Sequence, residues 1–154
     1  QIAEETVWTA TETFFCRGQF GEPDKNLEKD AFESISDAKI LAEWFLPSGN
    51  GFGFARISGD GNGIHYSKFY ARLFGFERDF AQPFLILGNT LKYLNHSEIN
   101  GTISLSVAFK GQFYYDKNVT IKGVETNGRN RFDIYSDGND NPCMSGILNN
   151  EMRN

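Results

Sequence analysis

The densest collection of hard oxygen ligands in this sequence is DIYSDGNDN, where Asp133, Asp137, Asn139, Asp140 and Asn141 fall within one stretch. Carboxylate and amide oxygens crowded into a loop are the chemistry of a calcium site. Calcium is therefore the one cofactor the residues suggest, through Asp133, Asp137, Asn139 and Asp140. The closing Glu of an EF-hand is absent, and an Asx-Gly turn is the more economical reading of the same residues. Asp60 and Asn62 in GDGNG repeat the pattern more weakly. His65 and His96 are the only histidines, and each falls in a turn or at a strand end. His96 stands beside Ser97 and Glu98, but sequence neighbours do not make a triad, and no G-x-S-x-G elbow is present. Acid pairs such as Glu4-Glu5, Glu28 with Asp30, and Glu77 with Asp79 read as solvated faces; a glycosidase needs two carboxylates facing each other across a groove. No catalytic residue is assigned, and the chain is expected not to be an enzyme.

Aromatic side chains offer a different chemistry. Trp8, Trp44, Tyr70 and Tyr114, with Tyr66, Tyr93 and Tyr115 behind them, are candidates for stacking against a sugar ring; core packing is the simpler account of the same residues. Asn95-His96-Ser97, Asn100-Gly101-Thr102 and Asn118-Val119-Thr120 are N-glycosylation sequons, which favours a secreted glycoprotein. Cys16 and Cys143 are the only cysteines. They read either as one disulfide tying distant parts of the chain, worth roughly 4–5 kcal/mol on a chain-entropy argument, or as two free thiols. No Cys/His cluster offers a structural zinc site.

The 154 residues are read as one domain, 1–154, large enough to bury a core without staples. Fifteen phenylalanines and sixteen glycines suit short strands joined by tight turns. A net charge of −5 and a pI near 5.0 argue against a nucleic-acid-binding surface. No apolar run approaches the roughly 20 residues of a membrane-spanning helix. Gln1 in first place favours a processed or truncated product.

The elements that must position these side chains read mainly as strands. Thr6 to Phe20 alternates β-branched residues with others and suggests a strand. Asp24 to Phe45 carries an apolar stripe at three- and four-residue spacing and predicts a helix, with a strand at Lys39 to Phe45 as the alternative. Pro47 to Gly53 reads as a turn, Phe52 to Arg56 as a strand, Gly59 to Gly63 as a tight turn, and Ile64 to Phe74 as a bent strand. Phe84 to Leu87 suggests a strand buried on both faces, broken at Gly88-Asn89, with a second strand at Thr90 to Leu94. Thr102 to Lys110 alternates most clearly, with Ile103, Leu105, Val107 and Phe109 on one face. Phe113 to Tyr115, Val119 to Lys122, Val124 to Thr126 and Arg131 to Tyr135 add short strands. Beyond Ser136 no closing strand is evident. The pattern predicts an antiparallel, jelly-roll-like β-sandwich with one helix in 24–45 and an incomplete C-terminal side.

From Trp44 to Asn127 the sequence resembles the choice-of-anchor K domain. The resemblance is carried by the glycine-rich PSGNGFGF segment, Phe54, Ile64 with Tyr66, Phe69 and Phe80. It continues through Pro83-Phe84, Leu87-Gly88, Thr90-Leu91, Tyr93 and Asn95, and through Val124-Glu125-Thr126-Asn127 in place of the family's ETPN motif. It implies a secreted or cell-surface domain with no established activity. It also implies strands missing after the ETPN-like motif, to be supplied by a copy of the chain or by another partner. The resulting expectation is an extracellular structural or adhesive module that assembles at its sheet edges, as in a fibre. A carbohydrate-binding module that takes a surface glycan is the alternative, and a secreted hydrolase the third.

Overall fold

A computed structural model describes residues 7–13, 34–35, 37–94, 101–126 and 128–152. Five strands form one antiparallel sheet: β1 (Lys39–Leu46), β2 (Gly101–Phe109), β3 (Lys117–Thr126), β4 (Arg129–Ser136) and β5 (Met144–Met152), in the order β1-β3-β4-β5-β2. Three helices lie between β1 and β2: α1 (Asn50–Ser58), α2 (Lys68–Leu73) and α3 (Pro83–Leu91).

The mainly antiparallel β character agrees with the sequence; the second layer does not. All the named strands belong to one sheet, and the layer packed on it is α3. Pro83 opens this helix, where its fixed φ is an asset and its missing N–H costs nothing. Ile86, Leu87 and Thr90 then fall on one face and are buried, and Thr90 Oγ1 closes on the Ile86 carbonyl at 2.9 Å. This face meets Val119 and Ile121 of β3, Phe132 and Ile134 of β4, and Met144 and Leu148 of β5 in one core. The expected strand pair at Phe84–Leu87 and Thr90–Leu94 is thus a helix, and Gly88 sits on its exposed side. A short apolar run is compatible with either element until its partners are known.

Other expectations are corrected similarly. Phe52 to Arg56 lies in α1, and Ile64 to Phe74 forms a 3₁₀ turn (Gly63–His65) followed by α2. Lys39–Leu46 is a strand, so the helix expected in 24–45 does not extend there; residues 24–33 lie outside the described residues. Residues 7–13 are exposed and irregular where a strand was expected. The segment beyond Ser136 does hold a strand: β5 pairs with β4 on one side and β2 on the other. β2 matches its expected range closely. Of the face expected to be apolar, Leu105 and Val107 pack against the core, while Ile103 and Phe109 of this edge strand are exposed.

Candidate active site

Asp60 and His65 are brought together by a turn whose polar side chains close on its own backbone. Gly59 ends α1 with φ +77°, a conformation that favours glycine. Asp60 Oδ1 accepts the Asn62 N–H at 3.2 Å, and Asn62 Oδ1 accepts the Ile64 N–H at 3.3 Å. These are Asx turns in series, and the second caps the 3₁₀ turn that carries His65. Tyr66 Oη donates to the Gly61 carbonyl at 2.7 Å. Folded this way, the loop sets His65 Nε2 3.5 Å from Asp60 Oδ2.

The imidazole is oriented from two sides. Its Nδ1 lies 2.9 Å from the Phe80 carbonyl. A carbonyl only accepts, so Nδ1 carries a proton, and Nε2 is the nitrogen that faces Asp60. The Phe80 ring meets the imidazole edge-on, with centroids 5.0 Å apart. On the backbone side, Tyr115 Oη donates to the His65 carbonyl at 3.0 Å. Burial pushes the Tyr115 hydroxyl up to about 12, with the Asp79 carboxylate adding to the effect, so it remains a donor. Gly51 in α1 lies against the same carbonyl: a Cβ there would stand 2.0 Å from the His65 oxygen. The Gly51 carbonyl accepts from Gln82 Nε2 at 3.1 Å, which ties α1 to the residue preceding α3.

His65 is buried while Asp60 is half exposed. His65 Nε2 and the Asp60 carboxylate face each other at 3.5 Å, beyond ordinary hydrogen-bond length. A water bound beside both groups is within reach of either for proton transfer. General acid–base chemistry on water, or on a hydroxyl leaving as water, is what the pair equips the site to do.

The residues singled out from sequence are placed elsewhere. Asp133 is buried on β4: its carboxylate accepts the Ser145 hydroxyl and the Ile35 N–H. Asp137 accepts the Asn118 N–H at 3.2 Å, Asn139 donates to Cys143 Sγ at 3.1 Å, and Asp140 is exposed. The carboxylates of Asp133 and Asp137 thus serve separate partners. Among the described residues no three His, Cys, Asp or Glu side chains group as metal ligands. Cys143 is a buried free thiol; Cys16 lies outside the described residues. Asn118 is exposed on β3, while Asn95, Asn100 and His96 lie outside the described residues. Of the four stacking candidates, Trp44, Tyr70 and Tyr114 each have neighbours of their own. Trp8 is exposed in 7–13, and Trp44 stacks on Tyr93 with centroids 6.1 Å apart. Tyr70 packs on Gly63, and Tyr114 meets the Phe80 ring edge-on. Asp60 and His65 were each visible in the sequence as an Asx turn and a lone histidine. The signal that joins them is the run of Asx side chains between them, which folds a carboxylate back onto a residue five positions later.

No family model and no curated relative matches the sequence. Solved structures do match the fold. HtdX of Mycobacterium tuberculosis superposes with a TM-score of 0.62 at 19% identity, over 71% of this chain and 47% of that one, so the chain spans about half the length of HtdX. The (R)-hydratase from A. caviae involved in PHA biosynthesis gives 0.58 at 15% identity, over 77% of this chain and 98% of that one. The C-terminally truncated HadBC (3R-hydroxyacyl-ACP dehydratase) complex from M. tuberculosis gives 0.54 at 14% identity, over 72% and 93% of the two chains. The five-stranded antiparallel sheet with helices between its first two strands is consistent with the hot-dog fold of these structures. It overturns the resemblance to a choice-of-anchor K domain. The expectation of an adhesive, fibre-forming module, drawn from that resemblance, falls with it, and so does that of a secreted or surface-displayed chain, which the sequons had also favoured. The carbohydrate-binding and secreted-hydrolase alternatives fall too, as does the expectation of a chain without enzymatic activity. Two of these three structures are named for a hydratase and a dehydratase.

Proposed function

We propose that this chain is a hydratase or dehydratase acting on an acyl thioester, at the carbon–carbon double bond beside the carbonyl. The observation that carries the reading is the Asp60–His65 pair, with His65 Nε2 3.5 Å from a carboxylate oxygen and Nδ1 held by the Phe80 carbonyl. The likeness in fold to the A. caviae hydratase and the HadBC dehydratase supplies the substrate class.

Hydration needs few groups. One base takes a proton from water as its oxygen bonds to the β carbon. The π electrons shift onto the thioester as an enolate, and an acid returns a proton to the α carbon. The reverse sequence expels water. Asp60 and His65 hold the water together, and the group that accepts its proton becomes the acid that passes that proton to the α carbon. The enolate oxygen needs a donor. α3 begins three residues beyond the carbonyl that His65 binds, and its positive end favours that charge. Pro83 has no N–H, and the Leu85 and Ile86 amides turn back on the Gln82 carbonyl. The Phe84 amide is therefore the donor we assign.

The test is an assay of the full chain with trans-2-enoyl thioesters of coenzyme A, short and long, followed by loss of the enoyl absorbance. Turnover that disappears in Asp60→Asn and His65→Gln is the expected result. A folded wild-type chain that hydrates none of them, or variants as active as wild type, would overturn the reading.

Association belongs to the same reading, because the HadBC structure is of a complex. Here β1 and β2 are the sheet edges, and Phe69, Leu73 and Phe74 at α2 and Phe109 on β2 are exposed. Apolar surface of this kind suits cover by a second chain.

A further inference from the structure

The segment between β2 and β3 touches every group that orients His65. The Phe113 carbonyl accepts the Ala81 N–H at 2.9 Å, and Tyr114 bridges to Phe80. Tyr115 binds the His65 carbonyl. Asp116 then turns with φ +63°, the one non-glycine residue with positive φ among those described. Such a conformation is strained for a residue with a Cβ and persists only where its surroundings hold it.

What holds Asp116 is specific. Its N–H donates to the Leu46 carbonyl at 2.7 Å. Its carboxylate accepts the Ser48 N–H at 3.0 Å, the Ser48 hydroxyl at 2.7 Å and Arg78 Nη2 at 3.0 Å. Arg78 also donates to Ser48 Oγ at 3.1 Å and, through Nε, to Asp79 at 3.3 Å. Arg78 stands two residues before Phe80, whose carbonyl fixes the imidazole proton on Nδ1. Asp116 stands one residue after Tyr115, which fixes the backbone. One ion pair thus joins the two ends of the frame around His65 without touching the imidazole.

We propose that the Arg78–Asp116 pair is a positioning clasp that sets the tautomer of His65. With the clasp closed, the Phe80 carbonyl stays within reach of Nδ1 and Nε2 faces Asp60. With it open, the 78–80 segment is free to withdraw and the imidazole proton distributes between both nitrogens. The geometry stands by itself; the catalytic consequence rests on the hydration reading above.

Imidazole nitrogen NMR of the full chain tests this directly. The sequence has two histidines, and a His96→Gln background leaves His65 alone in the spectrum. The expected wild-type signal is a single Nδ1–H tautomer. Arg78→Gln and Asp116→Asn should give mixed tautomers, and Arg78→Lys, a point charge without the planar fork, should recover part of the wild-type pattern. Where the wild type hydrates thioesters, kcat should fall roughly tenfold or more in the first two variants while KM moves less. Folded Arg78→Gln and Asp116→Asn proteins that keep the wild-type imidazole signals overturn the clasp. If either fails to fold, Asp116→Gly, which relieves the positive φ while removing the carboxylate, is judged by the same criterion. A tautomer shift in a chain that shows no hydratase activity upholds the clasp and rejects the activity.

Discussion

His65 Nε2 lies 3.5 Å from Asp60 Oδ2, with the imidazole buried and the carboxylate half exposed. Asn at position 60 would keep the oxygen that accepts the Asn62 N–H and lose only the charge and the basicity. Asp60→Asn is therefore expected to lower kcat by roughly 10²- to 10⁴-fold. Its unfolding free energy should stay within about 0.5 kcal/mol of wild type. Steady-state assay beside a denaturant titration checks both halves.

Tyr115 gives a stability prediction with a sign. Its hydroxyl titrates near 12 in the folded chain, against an ordinary value of 10.0. The unfolded chain loses this proton first, so stability is intact below about pH 10 and falls as pH rises toward 12. The loss reaches roughly 2–3 kcal/mol, from the two-unit shift. Tyr115→Phe should remove this part of the alkaline decline. At neutral pH it should cost about 1–3 kcal/mol, because the buried His65 carbonyl loses its donor. Denaturant midpoints across the alkaline range, wild type against variant, are the measurement.

Two glycines in α1 should respond with opposite signs. At Gly51 a Cβ meets the His65 carbonyl oxygen at 2.0 Å, whereas at Gly53 it meets nothing within 4 Å. Gly51→Ala is expected to destabilise by about 1–3 kcal/mol and to displace His65, with loss of activity. Gly53→Ala, on an exposed helical site, should stabilise by about 0.5–1 kcal/mol. Paired thermal melts that moved in the same direction would contradict the packing described for α1.

The core of the fold rests on α3. Ile86 is fully buried against strands of the sheet. Ile86→Ala should cost about 2–5 kcal/mol. A much smaller loss in a denaturant titration would mean that α3 does not pack into the core with β3, β4 and β5.

Self-association should be visible in solution. Sedimentation of the full chain is expected to give a mass above that of the monomer. Phe109→Lys on the β2 edge, or Leu73→Lys on α2, should lower it. A monomer at all concentrations would rule out the proposed assembly.

Parts of this architecture can be read from the residues alone. Thr102 to Lys110 announces β2 because its period of two is sustained. Phe132 with Ile134 announces β4 likewise. α1 is hidden because Gly51, Phe52, Gly53 and Phe54 alternate with the period of a strand. The glycine at 51 answers instead to the approach of His65, a tertiary contact that the local pattern does not contain. α3 is hidden because Phe84 to Leu87 is apolar on all sides, and Gly88-Asn89 imitates a break. β5 is hidden because Asn149 and Asn150 sit where the strand pairs with an edge. The site divides in the same way. The Asx turn at Asp60 is legible as a turn. Its conjunction with His65 depends on Phe80, Tyr115 and Gly51, which arrive from three separate segments.

Cys143 lies where the β4–β5 connection meets the end of β2. Its carbonyl accepts the Lys110 and Gly111 amides at 2.8 and 2.9 Å, and its thiol is buried and titrates above its ordinary value because of that burial. An alkylating reagent reacts with thiolate, and this sulfur offers neither thiolate nor access while the junction is closed. In a Cys16→Ser chain, the labelling rate of Cys143 therefore becomes a clock for the parting of β2 from β5, readable by mass spectrometry without any added probe.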